Sequence, residues 1–174
     1  MKIIVEGIDR IGKNLLIENI IDNYGFHFVI HYSKPKKMAV YDFDLYNYQH
    51  HSFLAGFDLL RAPDIPVIYN RFHLGESVYS PMYRNYSGDY VFDMEKSYRV
   101  DENNDVRLIL LTTSNFSFIQ DDGDSFDFDK KEIEQRMFID AFFKSIIQDK
   151  IIVDVHNGRN GFKDAEDIYR EAMQ

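Results

Sequence analysis

The chain has 174 residues, contains no cysteine and carries a formal net charge of −9. This length fits a single domain over residues 1–174 with a substantial core, and the missing cysteines exclude disulfides and thiolate metal sites. The negative charge argues against stable nucleic-acid binding, the apolar stretches are too short to span a membrane, and no signal peptide precedes the first strand, so we expect a cytoplasmic protein with small anionic ligands.

The first strand candidate leads into a segment that matches a phosphate-binding loop. Residues 2–6, KIIVE, predict a strand, and residues 7–14, GIDRIGKN, have the spacing GxxxxGK before a helix. In such a loop, glycines let backbone N–H groups point at an anion, the next helix adds the positive end of its dipole, and the lysine adds a mobile charge. The usual Ser or Thr, whose hydroxyl holds Mg²⁺, is Asn14 here. We therefore expect a nucleotide to place its phosphates at this loop.

Helices and apolar strands alternate along the rest of the chain. Helical periodicity predicts helices over 13–23, 45–60, 130–147 and after Asp164. Residues 74–84 are predicted as one helix or as two short helical turns interrupted by Pro81. Apolar runs predict further strands over 28–32, 65–69, 107–111 and 151–154. This alternation predicts a three-layer αβα sandwich with a five-stranded parallel sheet, whereas residues 85–105 give no clear pattern.

Three polar segments follow strand candidates. Residues 33–37, SKPKK, are either a solvated turn or a basic loop whose lysines approach a phosphate. Residues 70–73, NRFH, come at the carboxyl end of the third strand, where open α/β sheets bind ligands. The acidic, polar segment over about 112–136 predicts a mobile lid, and its aspartates lack the spacing of an EF-hand.

Four stretches together resemble a known family. These are VEGIDRIGKN, FLAGFDLLR, NRFHLGESVY and a late strand followed by a lid. In this order they resemble the thymidylate kinase family of P-loop nucleoside monophosphate kinases, and most closely its divergent bacteriophage members. The resemblance covers the whole chain in element order, although only the loop and residues 70–79 are specific. It implies a P-loop kinase fold, ATP and Mg²⁺ as cofactors, a deoxynucleoside monophosphate such as dTMP as the acceptor, and a homodimer.

The resemblance also implies roles for individual residues. Lys13 and the loop backbone would hold the β- and γ-phosphates of ATP, and Arg10 would stabilise the transferring phosphoryl group. The implied ATP-binding set is Gly7, Asp9, Ile11, Gly12, Lys13, Asn14 and Leu15. On the acceptor side, Asp9 would contact the sugar hydroxyl and Arg71 would grip the monophosphate. The residues that enclose the base, or alternatively pack in the core, are Phe53, Phe72, Tyr79 and Tyr83.

Two departures from the family leave three functions open. Asn14 and Asn70 replace the residues linked to Mg²⁺, and a neutral amide oxygen is a weaker ligand for this ion than a carboxylate. The first function is phosphorylation of a nucleoside monophosphate. The second is phosphorylation of a hydroxyl, on a deoxynucleoside or on a hydroxymethylated base in DNA, with Glu6 as the base. The third is nucleotide binding without catalysis.

Overall fold

The structure, a computed structural model, describes residues 1–25, 28–33, 44–102, 105–120 and 128–174. Its strands are β1 (Lys2–Glu6), β2 (Phe28–His31), β3 (Val67–Asn70), β4 (Val106–Thr112) and β5 (Asp149–Asp154). Its α-helices are α1 (Lys13–Tyr24), α2 (Leu45–Arg61), α3 (His73–Tyr83), α4 (Tyr90–Ser97), α5 (Phe128–Lys144) and α6 (Ala165–Met173). The predicted basic loop beyond residue 33 and the aspartates over 121–127 lie outside the described residues.

The five strands form one parallel sheet in the order β2-β3-β1-β4-β5, which confirms the predicted sheet. Strand β1 lies at the centre, and all five of its residues are buried. Its sequence is a nearly continuous apolar run because helices cover both faces of a parallel sheet. The carboxyl ends of β1 and β3 therefore lie side by side, with Val5 opposite Asn70.

The connections place the helices on both faces of the sheet. From β1 the chain moves across the sheet to the edge strand β2, and it then returns through β3 and β4 to β5 at the other edge. Because crossovers between parallel strands are right-handed, α1 lies on one face of the sheet and α2 to α5 lie on the other. Helix α6 packs against α1, and α3 packs against α5. The central layer is apolar, and residues such as Ile4, Ile68 and Ile109 are completely buried.

The structure settles two segments that the sequence left open and changes the bounds of a third. Helix α3 is continuous, and Pro81 lies in its last turn, where the helix ends two residues later and little of the hydrogen-bond ladder is lost. Residues 85–105, which gave no pattern, contain α4 and a 3₁₀ helix at Val100–Glu102. Helix α5 begins at Phe128, so residues 128–136 of the predicted lid are helical, and Thr112 belongs to β4. The motion of the lid stays a prediction.

None of the helices in the described part of the chain combines the length and the apolar character needed to cross a membrane.

Candidate phosphate-binding site

The loop between β1 and α1 has the backbone conformation that the motif predicts. Gly7 and Gly12 have φ angles of 137° and 90°. A Cβ atom at Gly7 would lie 2.5 Å from the carbonyl oxygen of Leu111, so only glycine fits this turn. Helix α1 begins directly after Gly12, with no capping side chain and no acidic residue in its first turn. The positive end of its dipole is therefore turned toward the loop.

Lys13 is folded back on this loop. Its Nζ donates hydrogen bonds to the carbonyl oxygens of Gly7, at 2.8 Å, and Ile8, at 2.5 Å. Burial, together with the positive charge of Arg71, lowers the pKa of Lys13 to about 7. A phosphate at the loop would supply the anionic partner that stabilises the charged lysine.

A cleft of about 680 Å³, here called the main cleft, opens over the loop. Its lining residues are Arg10, Gly12, Lys13, Asn14, Leu15, His31, Asn70, Arg71, Phe118, Ile119, Gln120 and Phe162. The volume lies within the range of small-molecule sites. The structure thus brings six of the predicted site residues together at the main cleft, namely Arg10, Gly12, Lys13, Asn14, Leu15 and Arg71. Ile11 is instead completely buried, and a Cβ at Gly7 would contact its side chain.

Aromatic residues that the sequence analysis missed form one wall of the main cleft. The ring of Phe118 stacks on His156 with centroids 5.5 Å apart, and Phe162 meets Phe118 edge to face at 4.7 Å. An antiparallel bridge holds His156 and Phe162 side by side, and Phe118, from the segment after β4, packs against both rings. A single aromatic residue in a loop gives no periodic signal, so the sequence alone offered nothing to detect this wall.

Asn14 and Asn70 contact each other at the edge of the main cleft. The side-chain Nδ2 of Asn70 donates a hydrogen bond of 2.6 Å to Oδ1 of Asn14. Asn70 is buried, and its own Oδ1 has no hydrogen-bond partner among the described residues. The two positions that depart from the family pattern therefore form one neutral amide pair.

Arg71 lies between the main cleft and a second, smaller cavity. Its guanidinium forms an ion pair with Asp9, and its backbone N–H donates to the carbonyl oxygen of Val5 at 2.9 Å. The second cavity, here called the small pocket, has a volume of about 50 Å³. It is lined by Tyr32, Ser33, Gln49, Phe53, Arg71, Phe72, Gly75, Glu76, Tyr79 and Arg84. In this conformation it has room for one or two water molecules.

The four residues proposed to enclose a base have different environments. Phe53 and Phe72 border the small pocket but are almost completely buried in an aromatic cluster, in which Phe72 stacks on Tyr69 with centroids 4.5 Å apart. Tyr79 also borders the pocket, and its buried hydroxyl has no partner among the described residues. Tyr83 does not line the pocket, because its hydroxyl reaches Glu134 on α5 instead.

Glu6 acts as a cap for helix α3. Its Oε1 accepts hydrogen bonds from the backbone N–H groups of Phe72, Leu74 and Gly75 at 2.9, 2.9 and 3.3 Å. The side chain is completely buried, and this burial raises the pKa of Glu6. The carboxylate satisfies N–H groups that the first turn of a helix leaves unpaired. Glu6 thereby fixes the segment that carries Arg71 against the end of β1.

Glu76 and Gln49 are further residues of the small pocket that the sequence analysis missed. Glu76 is buried and accepts hydrogen bonds from the hydroxyls of Tyr86 and Tyr90, at 2.7 and 3.0 Å, and from Arg84. Gln49 is also buried. In the sequence, both look like ordinary polar residues of a helix, so only the tertiary structure identifies them as part of the pocket.

No protein-family model and no curated protein matches the chain, but solved structures do. One is the YorR protein of Bacillus subtilis, in complex with phosphorylated GDP, with a TM-score of 0.66 and 13% identity over 98% of this chain and 92% of that chain. Another is polyphosphate kinase 2 of Arthrobacter aurescens TC1, with a TM-score of 0.58 and 14% identity over 87% of this chain. This chain spans 60% of that kinase. The likenesses show a P-loop kinase-like fold.

Proposed function

We propose that this chain transfers the γ-phosphoryl group of ATP to a nucleoside monophosphate, with dTMP or a related deoxynucleotide as the acceptor. The observation that carries the proposal is the position of Arg71, which borders both the main cleft and the small pocket. A cation between a donor site and an acceptor site can bind the acceptor phosphate and stabilise the group in transfer. The solved relatives support nucleotide chemistry, because one was crystallised with phosphorylated GDP and the other is named a kinase.

The residues of the main cleft supply positioning and positive charge. Lys13 and the backbone N–H groups of the loop hold the donor phosphates, and Arg10 and Arg71 face the same space. Asp9 holds the Arg71 side chain through its ion pair. The acceptor phosphate is already a nucleophile, so the transfer needs no strong base and depends on orientation and charge neutralisation.

The donor base is assigned to the aromatic wall and the acceptor base to the small pocket. Phe162 lies beside the loop, since a Cβ atom at Gly12 would be 3.7 Å from its ring. Aromatic rings hold bases by stacking without selecting one strongly. The small pocket is far below the volume of a ligand site, so the acceptor must open it, and the unpaired Tyr79 hydroxyl then offers a hydrogen bond.

The test is a transfer assay with the purified chain, ATP and a panel of deoxy- and ribonucleoside monophosphates. Formation of ADP and of the acceptor diphosphate is followed by anion-exchange chromatography. We expect transfer to dTMP or a close analogue, and its loss in Lys13→Met, which keeps the aliphatic stem but removes the charge. If the folded chain forms no diphosphate from any acceptor, the proposal is wrong.

A non-catalytic nucleotide-binding protein is the second candidate, and the Asn14–Asn70 hydrogen bond favours it. In that case ATP stabilises the fold without turnover, by about 2.7 kcal/mol at a ligand concentration one hundred times Kd. Thermal melting with ATP, beside the transfer assay, separates the two functions. Stabilisation by ATP with no product from any acceptor would identify a binding protein.

Phosphorylation of a hydroxyl gains less support from Glu6, because this side chain is completely buried and its Oε1 caps α3. Glu6→Gln keeps the oxygen that accepts these three hydrogen bonds but removes a general base. A selective loss of activity toward thymidine, with dTMP as the comparison acceptor, would indicate a hydroxyl kinase. Equal activity of the variant on both would exclude this role of Glu6.

A further inference from the structure

The Asn14–Asn70 pair occupies the edge of the main cleft where the resemblance implies the residues linked to Mg²⁺. Asn70 ends β3 beside Val5 of β1, and Asn14 lies in the first turn of α1, next to Lys13. The parallel pairing of β1 with β3 and the turn of the loop thus bring the two amides into contact at 2.6 Å.

These residues do not fit a protein-bound Mg²⁺. This ion requires oxygen ligands in octahedral geometry and usually takes one or two carboxylates besides phosphate oxygens. The Asn14 oxygen already accepts an N–H group of Asn70. The hydrogen bond between the two amides requires one NH₂ group and one oxygen at the contact, and here Asn70 supplies the NH₂ group and Asn14 the oxygen.

The nearby carboxylates have other partners or are buried. Asp9 pairs with Arg71. Glu6 is completely buried, its Oε1 accepts three backbone N–H groups, and its Oε2 has no hydrogen-bond partner among the described residues. Over the ranges that the structure describes, no three His, Asp or Glu side chains come together in a way that could hold a metal ion. Among the described residues that line the main cleft, a divalent ion at the loop would therefore find no carboxylate.

Cationic and N–H groups take the place of metal ligands. Arg10, Lys13 and Arg71 all border the main cleft, and the Nζ of Lys13 lies within the loop. The Asn14 amide borders the same space, and its oxygen is the atom that receives the Asn70 hydrogen bond, which leaves its NH₂ group able to donate to a phosphate oxygen. Asn14 stands where the usual loop has a Ser or Thr that binds Mg²⁺ through its hydroxyl, and it offers a hydrogen-bond donor there instead.

We propose that the chain binds nucleotide phosphates through its own cations and the Asn14 amide, so that nucleotide affinity does not depend on Mg²⁺. The inference rests on the proposed function only in that a nucleoside di- or triphosphate binds at the loop. The family that the sequence resembles implies Mg²⁺ as a cofactor. This chain differs in that it keeps the phosphate site but does not require the ion for nucleotide binding.

The test is calorimetric titration of the full chain with ATP, ADP and GTP, once with EDTA and once with excess Mg²⁺. We expect each Kd to differ between the two buffers by less than about threefold, below the 1.4 kcal/mol that a tenfold change represents. Binding that is more than about tenfold weaker in EDTA would overturn the inference.

The double variant Asn14→Thr/Asn70→Asp introduces a hydroxyl and a carboxylate at the two positions. We expect it to bind nucleotides more than about tenfold more weakly in EDTA than in Mg²⁺. Asn19→Asp is the matched control, because it changes the net charge equally on the outer part of α1, where the Asn19 side chain donates to the Leu15 carbonyl oxygen of its own helix. If the double variant does not fold, Asn14→Thr alone, at an exposed position, carries the test.

The outcomes separate the inference from the proposed function. Equal binding in both buffers without any transfer supports the inference and contradicts a kinase. Binding that requires Mg²⁺, together with transfer, contradicts the inference and supports the kinase. A folded chain that binds no nucleotide in either buffer contradicts both, and a double variant that stays indifferent to Mg²⁺ shows that the amide pair is not the cause.

Discussion

Replacing Arg71 by methionine tests whether this residue connects a donor site with an acceptor site. Methionine keeps an unbranched stem and removes the guanidinium. Arg71 has a φ angle of 64°, and methionine tolerates this angle about as well as arginine, since neither is β-branched. The hydrogen bond from its backbone to Val5 is also kept. The change therefore removes the charge with little effect on the backbone.

The expected loss follows from the position of the charge. Arg71 is 28% exposed, borders both cavities and neutralises Asp9. Removing a group that stabilises charge in the transition state costs about 10²–10³ in kcat, or about 2.7–4 kcal/mol. The unpaired Asp9 carboxylate then also repels phosphate. We expect Asp9→Asn in the Arg71→Met background to recover about tenfold of the loss, which is about 1.4 kcal/mol.

The assay is steady-state ADP release, coupled to NADH oxidation, with melting curves to confirm folding. Arg99→Met is the matched control, because Arg99 also has a positive φ angle, of 51°, and also pairs with a carboxylate, that of Glu102. It precedes β4 and so lies at the opposite end of the parallel sheet. If Arg71→Met keeps kcat/KM within about threefold of the unmodified chain, the loss predicted from charge stabilisation is refuted.

Three further outcomes follow from the loop and the aromatic wall. The pKa of Lys13 in the free chain is lowered to about 7, so ATP binding above this pH takes up a proton. The affinity for ATP therefore falls by up to about tenfold per pH unit between pH 7 and 9. In titrations over that range, Lys13→Arg removes this dependence on pH. Gly7→Ala meets the Leu111 carbonyl and lowers the free energy of unfolding by about 3 kcal/mol in urea titrations, against about 1 kcal/mol for Gly158→Ala, which meets nothing within 4 Å. Phe162→Ala weakens ATP by about 1–3 kcal/mol in calorimetry, whereas Phe143→Ala, at an exposed position on α5, has no effect.

The sequence predicted the sheet well because its signals are local. Strand β1 is an apolar run followed by a loop motif, and the alternation of strands with helices leaves few possible topologies. Helix α4 escaped prediction for the opposite reason. It has only eight residues, and its buried face, Val91, Phe92, Met94 and Glu95, covers only about two turns and includes a charged residue. So short and interrupted an apolar pattern does not stand out in the sequence.

The site was predictable only where a motif fixes the residue. The loop placed Lys13 and Arg10 at the main cleft, and strand-end position placed Arg71 there. The role of Glu6 depends on three N–H groups that come more than sixty residues later, so no local pattern reveals it. Phe118 and Phe162 likewise meet only through tertiary structure. Contacts across the sheet and between loops, rather than residue types, decide these parts of the site.

Asn14 and Asn70 are one structural feature, and this changes how the departures from the family bear on function. Read separately along the sequence, they look like two independent losses of metal ligands. In the fold they share one hydrogen bond, because the amide donor of Asn70 meets the amide acceptor of Asn14. A carboxylate at one of these positions would face the amide of the remaining asparagine, whereas that asparagine now faces another amide. The two asparagines therefore represent one change in how the charge of the phosphates is neutralised. Lys13 and Arg71 still line the main cleft and supply the positive charge.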